Sequence, residues 1–459
     1  MKSQREHWAS GFGFVMAAAG SAIGLGSLWR FPYIAGENGG GAFVFLYIIF
    51  SFAIVTPIFI AALIIGRTTQ KSPIFAYAQL GKSGSNWRMI GYLNLLTSFI
   101  ILSFYSVVAG WCLNYTLMSL CQFTANKTPD QIRAVFDMVN ASPGMNIFWL
   151  LIFMLCNVGI VYGGIRKGIE YWSRILTPAL LFILIALLIY SVTLEGFPAA
   201  VRFVFYPNFN ALTPSAILSA LGMAFFTLSV GMGIIVTYGS YLKPSENLPK
   251  TALIVATMTV CVSLMAALMI FPIVFTFNFP PTEGAGLVFK TMPILFDKLP
   301  ASLVISTVFF LLMVFTALTS SISLLEVLVS NLMELFDWAR KKAVLIATTA
   351  TFLFAIPSAL AGSGTLFPSW KLIYGKDFFA TMNDITADWM MPLAALLTTI
   401  FAAYFVKKEI MKEGFLQGTR MTRLYSPWFF LIRYLVPIAI LLIMLEQGGV
   451  LNLNALFTH

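Results

Sequence analysis

Seven long stretches of this chain contain no charged residue. Each meets or exceeds the roughly 20 apolar residues that an α-helix needs to cross about 30 Å of hydrocarbon. Backbone amides cannot stay unpaired in lipid, so such segments must be helices rather than open strands. The sequence therefore predicts an all-α membrane protein. The charge-free stretches are Ala9–Trp29, Asn38–Gly66, Met89–Asn126, Phe203–Leu242, Thr251–Thr282, Leu299–Leu325 and Ala343–Trp370.

The composition argues against the soluble classes. Of the 459 residues, 59% are hydrophobic and only 10% are charged, whereas a soluble domain carries roughly a quarter charged residues. An enzyme embedded in the bilayer would need clustered His, Asp, Glu or Cys at that depth. The two histidines, His7 and His459, lie at the ends of the chain. An enzyme is therefore not expected.

The basic residues predict a topology rather than a nucleic-acid partner. The formal net charge is +10, but most of the 28 basic residues fall in the short segments on one side of the predicted spans. Such a bias places the N-terminus inside and the C-terminus outside. We predict eleven transmembrane helices, near 9–36, 40–66, 88–121, 145–164, 168–193, 214–242, 250–276, 300–336, 342–360, 384–406 and 425–446.

Two predicted spans are interrupted by glycines and hydroxyl residues. The interruptions, at 20–30 and 225–233, fall in the first and sixth spans. One interpretation is that the glycines let helices pack closely. The other, favoured by their matching positions, is a 5+5 inverted repeat with broken helices one and six. We predict a single domain, 1–459, with repeats of about 9–193 and 214–406 and an extra helix at about 425–446.

Ordered motifs along the chain resemble the neurotransmitter:sodium symporter family, in its shorter bacterial branch. The first span carries Gly20-Ser-Ala-Ile-Gly-Leu-Gly-Ser-Leu-Trp-Arg-Phe-Pro-Tyr33 and Glu37-Asn-Gly-Gly-Gly-Ala-Phe43. Later motifs are Ser103-Phe-Tyr-Ser106, Gly163-Gly-Ile-Arg-Lys-Gly-Ile-Glu170, Phe225–Gly233 and Leu318-Thr-Ser-Ser-Ile322. The resemblance implies the bacterial leucine-transporter fold and sodium-coupled import of a small, mainly apolar (aliphatic or aromatic) L-amino acid by alternating access.

The resemblance also implies a substrate site at the two interruptions. The amides of Leu25 and Gly26 and the hydroxyl of Tyr105 match the family's carboxylate cradle. Gly24 falls where amine-selective relatives have an aspartate, so the ligand is expected to bring its own carboxylate. The amine is expected at the carbonyls of Ala22, Phe226 and Thr227 and the hydroxyl of Ser229. The pocket for the side chain is expected from Ile101, Tyr105, Phe226, Met232, Ser320 and Leu324.

One sodium site is implied in full by the resemblance. Its ligands are the carbonyls of Gly20, Ile23 and Thr316 and the hydroxyls of Thr319 and Ser320. Neutral oxygens suit a hard monovalent ion, whereas a divalent ion usually takes carboxylates. Ser and Thr hydroxyls more commonly donate hydrogen bonds to carbonyls of their own helix. The resemblance implies instead that these two hydroxyls bind the ion.

A second sodium site is only partly retained, so we expect one ion rather than two. The family places asparagine-like oxygens where this chain has Ser27 and Thr259, and an acid where it has Ala62. A weaker site from these two hydroxyls, the Ala22 carbonyl and the Thr227 hydroxyl stays open. Ser263 matches chloride-dependent members, but Met223 replaces an amide that the anion would use, so chloride dependence is not favoured.

Two gates are implied by the resemblance. Arg30, a charge within a span, is expected to close the outer side with Phe226 and with Asp384, although Asn383 aligns at the acid's position. The inner gate is expected from the Arg5–Glu334 pair and from Trp8 and Tyr241.

Glu326, an acid deep in span eight, keeps open a proton-coupled amino-acid carrier on the same fold. The expected location is the bacterial inner (plasma) membrane; the oligomeric state stays open.

Overall fold

The structure, a computed structural model, describes residues 6–82, 86–281 and 286–451, and these contain helices but no β-strand. The helices that form or contribute to spans are α1 Gly11–Ala22, α2 Gly26–Glu37, α3 Gly41–Thr69, α5 Arg88–Leu120, α7 Pro143–Val161, α8 Ile165–Val192, α10 Pro214–Thr227, α11 Ile234–Gly239, α12 Leu248–Thr276, α14 Ser302–Phe336, α15 Arg340–Ser363, α17 Phe378–Phe405 and α19 Thr422–Gln447. The shorter ones are α4 Pro73–Leu80, α6 Pro129–Ala141, α9 Phe197–Phe205, α13 Met292–Asp297, α16 Trp370–Tyr374 and α18 Lys408–Leu416.

The prediction of an all-helical membrane protein is confirmed. Within the described ranges nine helices are long and apolar enough to cross a bilayer, and α1 with α2, bent by 48° at their junction, makes a tenth span. The predicted sixth span is present as two shorter helices, α10 and α11. The count of eleven and the inverted repeat remain predictions.

The breaks occur where the backbone leaves the helical region. In the first span Ile23 ends α1, and the Gly24 amide bonds to the Ala22 carbonyl at 3.0 Å instead of one turn back. In the sixth, residues 228–233 are not helical, and Ser229 has a φ of +54°. Gly231, with a φ of +89°, has no space for a side chain, because a Cβ there would lie 2.4 Å from the Met391 carbonyl oxygen.

The first helix is capped by Ser10, which directly precedes it, and by a side chain from another span. Ser10 Oγ accepts a hydrogen bond from the Gly13 amide at 2.9 Å. The Glu170 carboxylate, on α8, accepts from the Ala9 amide at 2.7 Å and from the amide and hydroxyl of Ser10 at 3.1 and 3.0 Å. A carboxylate at a helix N-terminus satisfies free amides and complements the helix dipole. This contact fixes the start of the broken first span against the fifth.

Two long helices form the centre of the molecule. α5 and α14 pack along each other more extensively than any other pair of described helices, and α1 packs on α14 beside them. Buried apolar side chains form one continuous cluster from Trp8 to Ile443. The two breaks therefore lie against rigid, continuous helices, which fix the position of the free peptide groups.

Candidate functional site

The two breaks and the central helices enclose one cavity. All the substrate residues expected from the sequence line it, except Leu25 and Thr227. The cavity leaves about 30 Å³ for the centres of water-sized molecules, room for about two waters. In this conformation the side chains that line the cavity therefore lie close to the polar groups of the two breaks. The lining is Ser21, Ala22, Gly24, Gly26, Ile101, Tyr105, Phe226, Ser229, Met232, Ile234, Ser320 and Leu324.

One end of the cavity presents hydrogen-bond donors. The Leu25 amide, outside the lining itself, donates to the Tyr105 hydroxyl at 3.2 Å, which ties α5 to the first break. Gly26 begins α2, and a Cβ there would lie 2.5 Å from the Phe226 ring. The start of a helix and a hydroxyl together suit a carboxylate.

A carbonyl oxygen lies beside these donors. Ser229 Oγ and Ser320 Oγ both donate to the Ser21 carbonyl, each at 3.1 Å. A Cβ on Gly24 would approach Ser320 Oγ to 2.7 Å and the Tyr105 hydroxyl to 3.4 Å. A side chain at position 24 would therefore displace the Ser320 hydroxyl, and this chain supplies no acid at that point.

The remaining wall is apolar. Ile101, Met232, Ile234 and Leu324 are each at most 4% exposed and face the cavity. A charged ligand side chain here would lose its hydration without gaining a partner. Met adapts its shape to different neighbours, so the wall suits aliphatic or aromatic side chains.

The expected sodium ligands meet where α1 ends against α14. Ser320 Oγ lies 3.5 Å from the Gly20 carbonyl oxygen, so this hydroxyl crosses to the first span instead of returning to its own helix. Thr319 Oγ1 donates to the Thr316 carbonyl at 3.0 Å, and a Cβ on Gly20 would touch Thr319 Cβ at 3.2 Å. Ile23 caps the same end of α1. These neutral oxygens fit a monovalent cation.

Two hydroxyls of the second sodium site are engaged elsewhere, and a third has no partner among the described residues. The hydroxyls of Thr227 and Thr259 donate one turn back to carbonyls of their own helices, at 3.0 and 2.9 Å. The Tyr47 hydroxyl bonds to Thr227 Oγ1 at 3.1 Å and to Ser263 Oγ at 3.0 Å. Ser27 Oγ is buried without a hydrogen-bond partner among the described residues.

The outer gate differs from the expected ion pair. Asp384 Oδ2 bonds to Lys376 Nζ at 2.5 Å, and this hydrogen bond raises the pKa of Lys376. The carbon of the Arg30 guanidinium lies 4.7 Å from the centre of the Phe226 ring. Lys376 reaches Asp384 because it precedes the same helix by a few residues, whereas Arg30 lies against Phe226, which lines the cavity. Arg30 therefore contacts the site through this ring, by a cation–π interaction.

The inner side is closed by aromatic contacts. Trp8 Nε1 donates to the Tyr238 carbonyl and the Trp8 amide to the Tyr241 carbonyl, both at 3.1 Å. Arg5 lies outside the described residues. Its expected partner, Glu334, accepts a hydrogen bond from the Ser72 amide at 3.0 Å.

Glu326 forms a buried ion pair that the sequence did not indicate. Its carboxylate is paired with the Arg340 guanidinium, and its Oε1 accepts from the Tyr241 hydroxyl at 2.6 Å. Arg340 also donates to the Val161 carbonyl at 3.0 Å. Breaking such a pair would leave an uncompensated buried charge. Because Glu326 and Arg340 come from different helices, neither hydropathy nor spacing marks them as partners.

Comparison with known proteins places the chain among transporters. The family model described as the sodium:neurotransmitter symporter family matches residues 5–131 and 131–454. An uncharacterized sodium-dependent transporter of Bacillus subtilis, YhdH, is 37% identical, with 97% of this chain and 98% of that protein covered. One from Haemophilus influenzae is 35% identical, with 97% and 98% covered. The crystal structure of MhsT in complex with L-phenylalanine superposes with a TM-score of 0.88 at 37% identity, covering 96% of this chain and 100% of that one.

Proposed function

This chain belongs to the sodium:neurotransmitter symporter family, a transporter family and not an enzyme family, and we propose that it imports an apolar L-amino acid together with sodium. The substrate is aliphatic or aromatic, and transport proceeds by alternating access. The protein spans the membrane several times. Its proposed location is the bacterial inner membrane, with eleven spans in a 5+5 inverted repeat, the N-terminus in the cytoplasm and the C-terminus outside.

The single observation that carries this proposal is the cavity between the two breaks. The Tyr105 hydroxyl lies at the start of α2, the Ser21 carbonyl lies beside it with the hydroxyls of Ser229 and Ser320, and the remaining wall is apolar. That arrangement complements a carboxylate, an ammonium and an uncharged side chain in one ligand. The similar transporter MhsT, whose crystal structure contains L-phenylalanine, supports the same class of substrate.

Sodium is the proposed coupling ion, bound where Ser320 Oγ faces the Gly20 carbonyl. An ion there would pull the end of α1 and the middle of α14 together beside the cavity. We propose one sodium per transport cycle. The side chains of Ala62 and Met223 offer no oxygen ligand at the second site, which supports its loss. A measured ratio of two labelled sodium ions per substrate would refute this stoichiometry.

A proton-coupled carrier remains the alternative, and Glu326 is the residue on which it rested. Its carboxylate is held by the ion pair with Arg340 and the bond from Tyr241 and does not line the substrate cavity, so a role in carrying protons is not favoured. Glu326 instead belongs with Trp8 and Tyr241 to the group that closes the inner side.

The proposal is tested by uptake into proteoliposomes at equal internal and external pH. An inward sodium gradient should drive concentrative uptake of labelled phenylalanine or leucine, and replacing sodium with choline should abolish it. A proton gradient applied without sodium is the matched comparison. Uptake that follows the proton gradient and ignores sodium would refute sodium coupling. Equal sodium-driven uptake of glutamate or lysine would refute the substrate class.

A further inference from the structure

One face of α5 contacts both breaks. Asn94, Ser98, Ile101 and Tyr105 recur three or four residues apart, so they lie along one side of the helix. Tyr105 bonds to the first break, as described above. Ser98 Oγ donates to the Met232 carbonyl in the second break at 2.5 Å. Asn94 lies one turn further along the same face, and its role is not explained by the substrate cavity.

Asn94 lines a second, smaller cavity on the far side of the broken sixth span. This back cavity offers about 10 Å³ to the centres of water-sized molecules, which is about the room that one water needs. Ser229 lines both cavities, so a single residue of the break separates them. The back cavity is lined by Ile58, Ala62, Tyr77, Asn94, Ser229, Val230, Gly231, Gly233, Ile235, Val236 and Thr398.

Some polar atoms around the back cavity lack protein partners among the described residues. Asn94 is 1% exposed, and its Oδ1 has no hydrogen-bond partner among the described residues. Its side chain lies against the break, because a Cβ on Gly233 would be 2.9 Å from Asn94 Cβ. Among the described residues, the backbone amides of Gly231 and Gly233 have no hydrogen-bond acceptor. Buried polar groups of this kind are normally satisfied by protein or by ordered water.

Two hydroxyl groups in the lining supply further hydrogen-bonding capacity. The Tyr77 hydroxyl and Thr398 Oγ1 lie 2.7 Å apart, and each has capacity for another hydrogen bond. A buried water typically needs two to four polar partners. The back cavity therefore has the size and the chemistry for one water molecule, and its neutral groups include both donors and acceptors.

We propose that the back cavity is a binding site for one structural water, held by Asn94 Oδ1, and that Asn94 and this water position the broken sixth span. The water joins α5 to the break at 229–233, where the amides of Gly231 and Gly233 have no partner among the described residues. Ser229 lines both cavities. A water that orders the break from the back cavity therefore also fixes the position of the Ser229 hydroxyl in the substrate cavity. Asn94 is thus a positioning residue that does not itself touch the substrate.

The water itself can be tested directly. A crystal or cryo-electron-microscopy structure at high resolution should show one density feature within about 3 Å of Asn94 Oδ1, at hydrogen-bond distances. A dry cavity would overturn the proposal. So would an ion surrounded by five or six oxygens at about 2.4 Å, because the site would then bind sodium.

The positioning role is tested by Asn94→Leu, which keeps the side-chain volume and removes its polar atoms. Hydrogen exchange of the amides in 228–236 should rise roughly tenfold or more. Asn157→Leu is the matched control, because Asn157 on α7 is also fully buried with an unpartnered Oδ1. That variant should leave exchange in 228–236 unchanged even if it lowers overall stability.

A rescue distinguishes positioning from general stability. Ala62 lines the same cavity from α3, so Ala62→Ser added to Asn94→Leu should restore part of the protection of 228–236. Unchanged exchange in Asn94→Leu, or a rise of the same size in the Asn157→Leu control, would overturn the positioning role. Substrate affinity should fall with Asn94→Leu and recover with the rescue. Only this last readout rests on the proposed function, so the density and exchange experiments remain decisive if the substrate class is refuted.

Discussion

Removing one hydroxyl, in Tyr105→Phe, is the sharpest test of how this site holds its ligand. In the structure this hydroxyl accepts a hydrogen bond from the Leu25 amide at 3.2 Å, and it faces the cavity from α5. With an amino acid bound, the same hydroxyl is in place to donate to the ligand carboxylate. The substitution leaves the ring and its packing intact, so the change is confined to one polar atom.

The expected magnitude follows from the charge on the ligand. Hydrogen bonds to charged groups contribute about 1.5–3 kcal/mol. Since each 1.4 kcal/mol corresponds to about a factor of ten in the dissociation constant, affinity should fall about 10- to 150-fold. The Leu25 amide also loses its acceptor, but a loss that is the same in the free protein and in the complex lowers stability and leaves the affinity unchanged.

The assay is equilibrium binding of labelled phenylalanine or leucine to purified protein in saturating sodium. Tyr115→Phe is the matched control, because Tyr115 is a buried tyrosine ten residues further along α5 whose hydroxyl donates to the Phe289 carbonyl at 3.1 Å. That variant should bind substrate normally. Unchanged affinity in Tyr105→Phe, with a folded protein, would refute the assignment of the carboxylate end of the cavity.

Three further predictions address the ion, the side-chain wall and the inner ion pair. Thr319→Ala combined with Ser320→Ala should abolish the stimulation of binding by sodium while the protein stays folded; a double mutant that still responds to sodium would contradict the ion site. In a competition screen, apolar amino acids should displace the label, whereas tight binding of glutamate or lysine would show that the wall has been misassigned. Arg340→Met should lower stability by about 3–5 kcal/mol, because it leaves the Glu326 carboxylate buried and unpaired. Thermal unfolding should show most of that stability restored when Glu326→Gln is added, and no restoration would contradict the pairing.

The helices could be predicted from the sequence because hydrophobicity and helix-breaking residues act locally. The predicted third span, 88–121, agrees with α5 at Arg88–Leu120, and both breaks fall in the glycine-containing segments that suggested them. A lipid environment leaves an apolar segment no alternative to the helix. The count of spans was less secure, since the sixth span consists of two helices that are individually short.

The tertiary structure decided which side chains pair with each other. Sequence comparison suggested Asp384 as the partner of Arg30, but the helix arrangement gives Asp384 to Lys376 and places Arg30 over Phe226. The pairing of Glu326 with Arg340 depends on how two neighbouring helices are rotated toward each other.

The cavities show the same difference between what the sequence determines and what the tertiary structure determines. The sequence by itself determined that the chain is a bundle of apolar helices with two interrupted spans, because these properties depend on residues near one another in the chain. Only the tertiary structure decided that Asn94 lines the back cavity, although it shares a face of α5 with Ile101 and Tyr105, which were expected at the substrate cavity. The physical reason is that a side chain's environment is set by the helices packed around it, and those helices come from distant parts of the sequence.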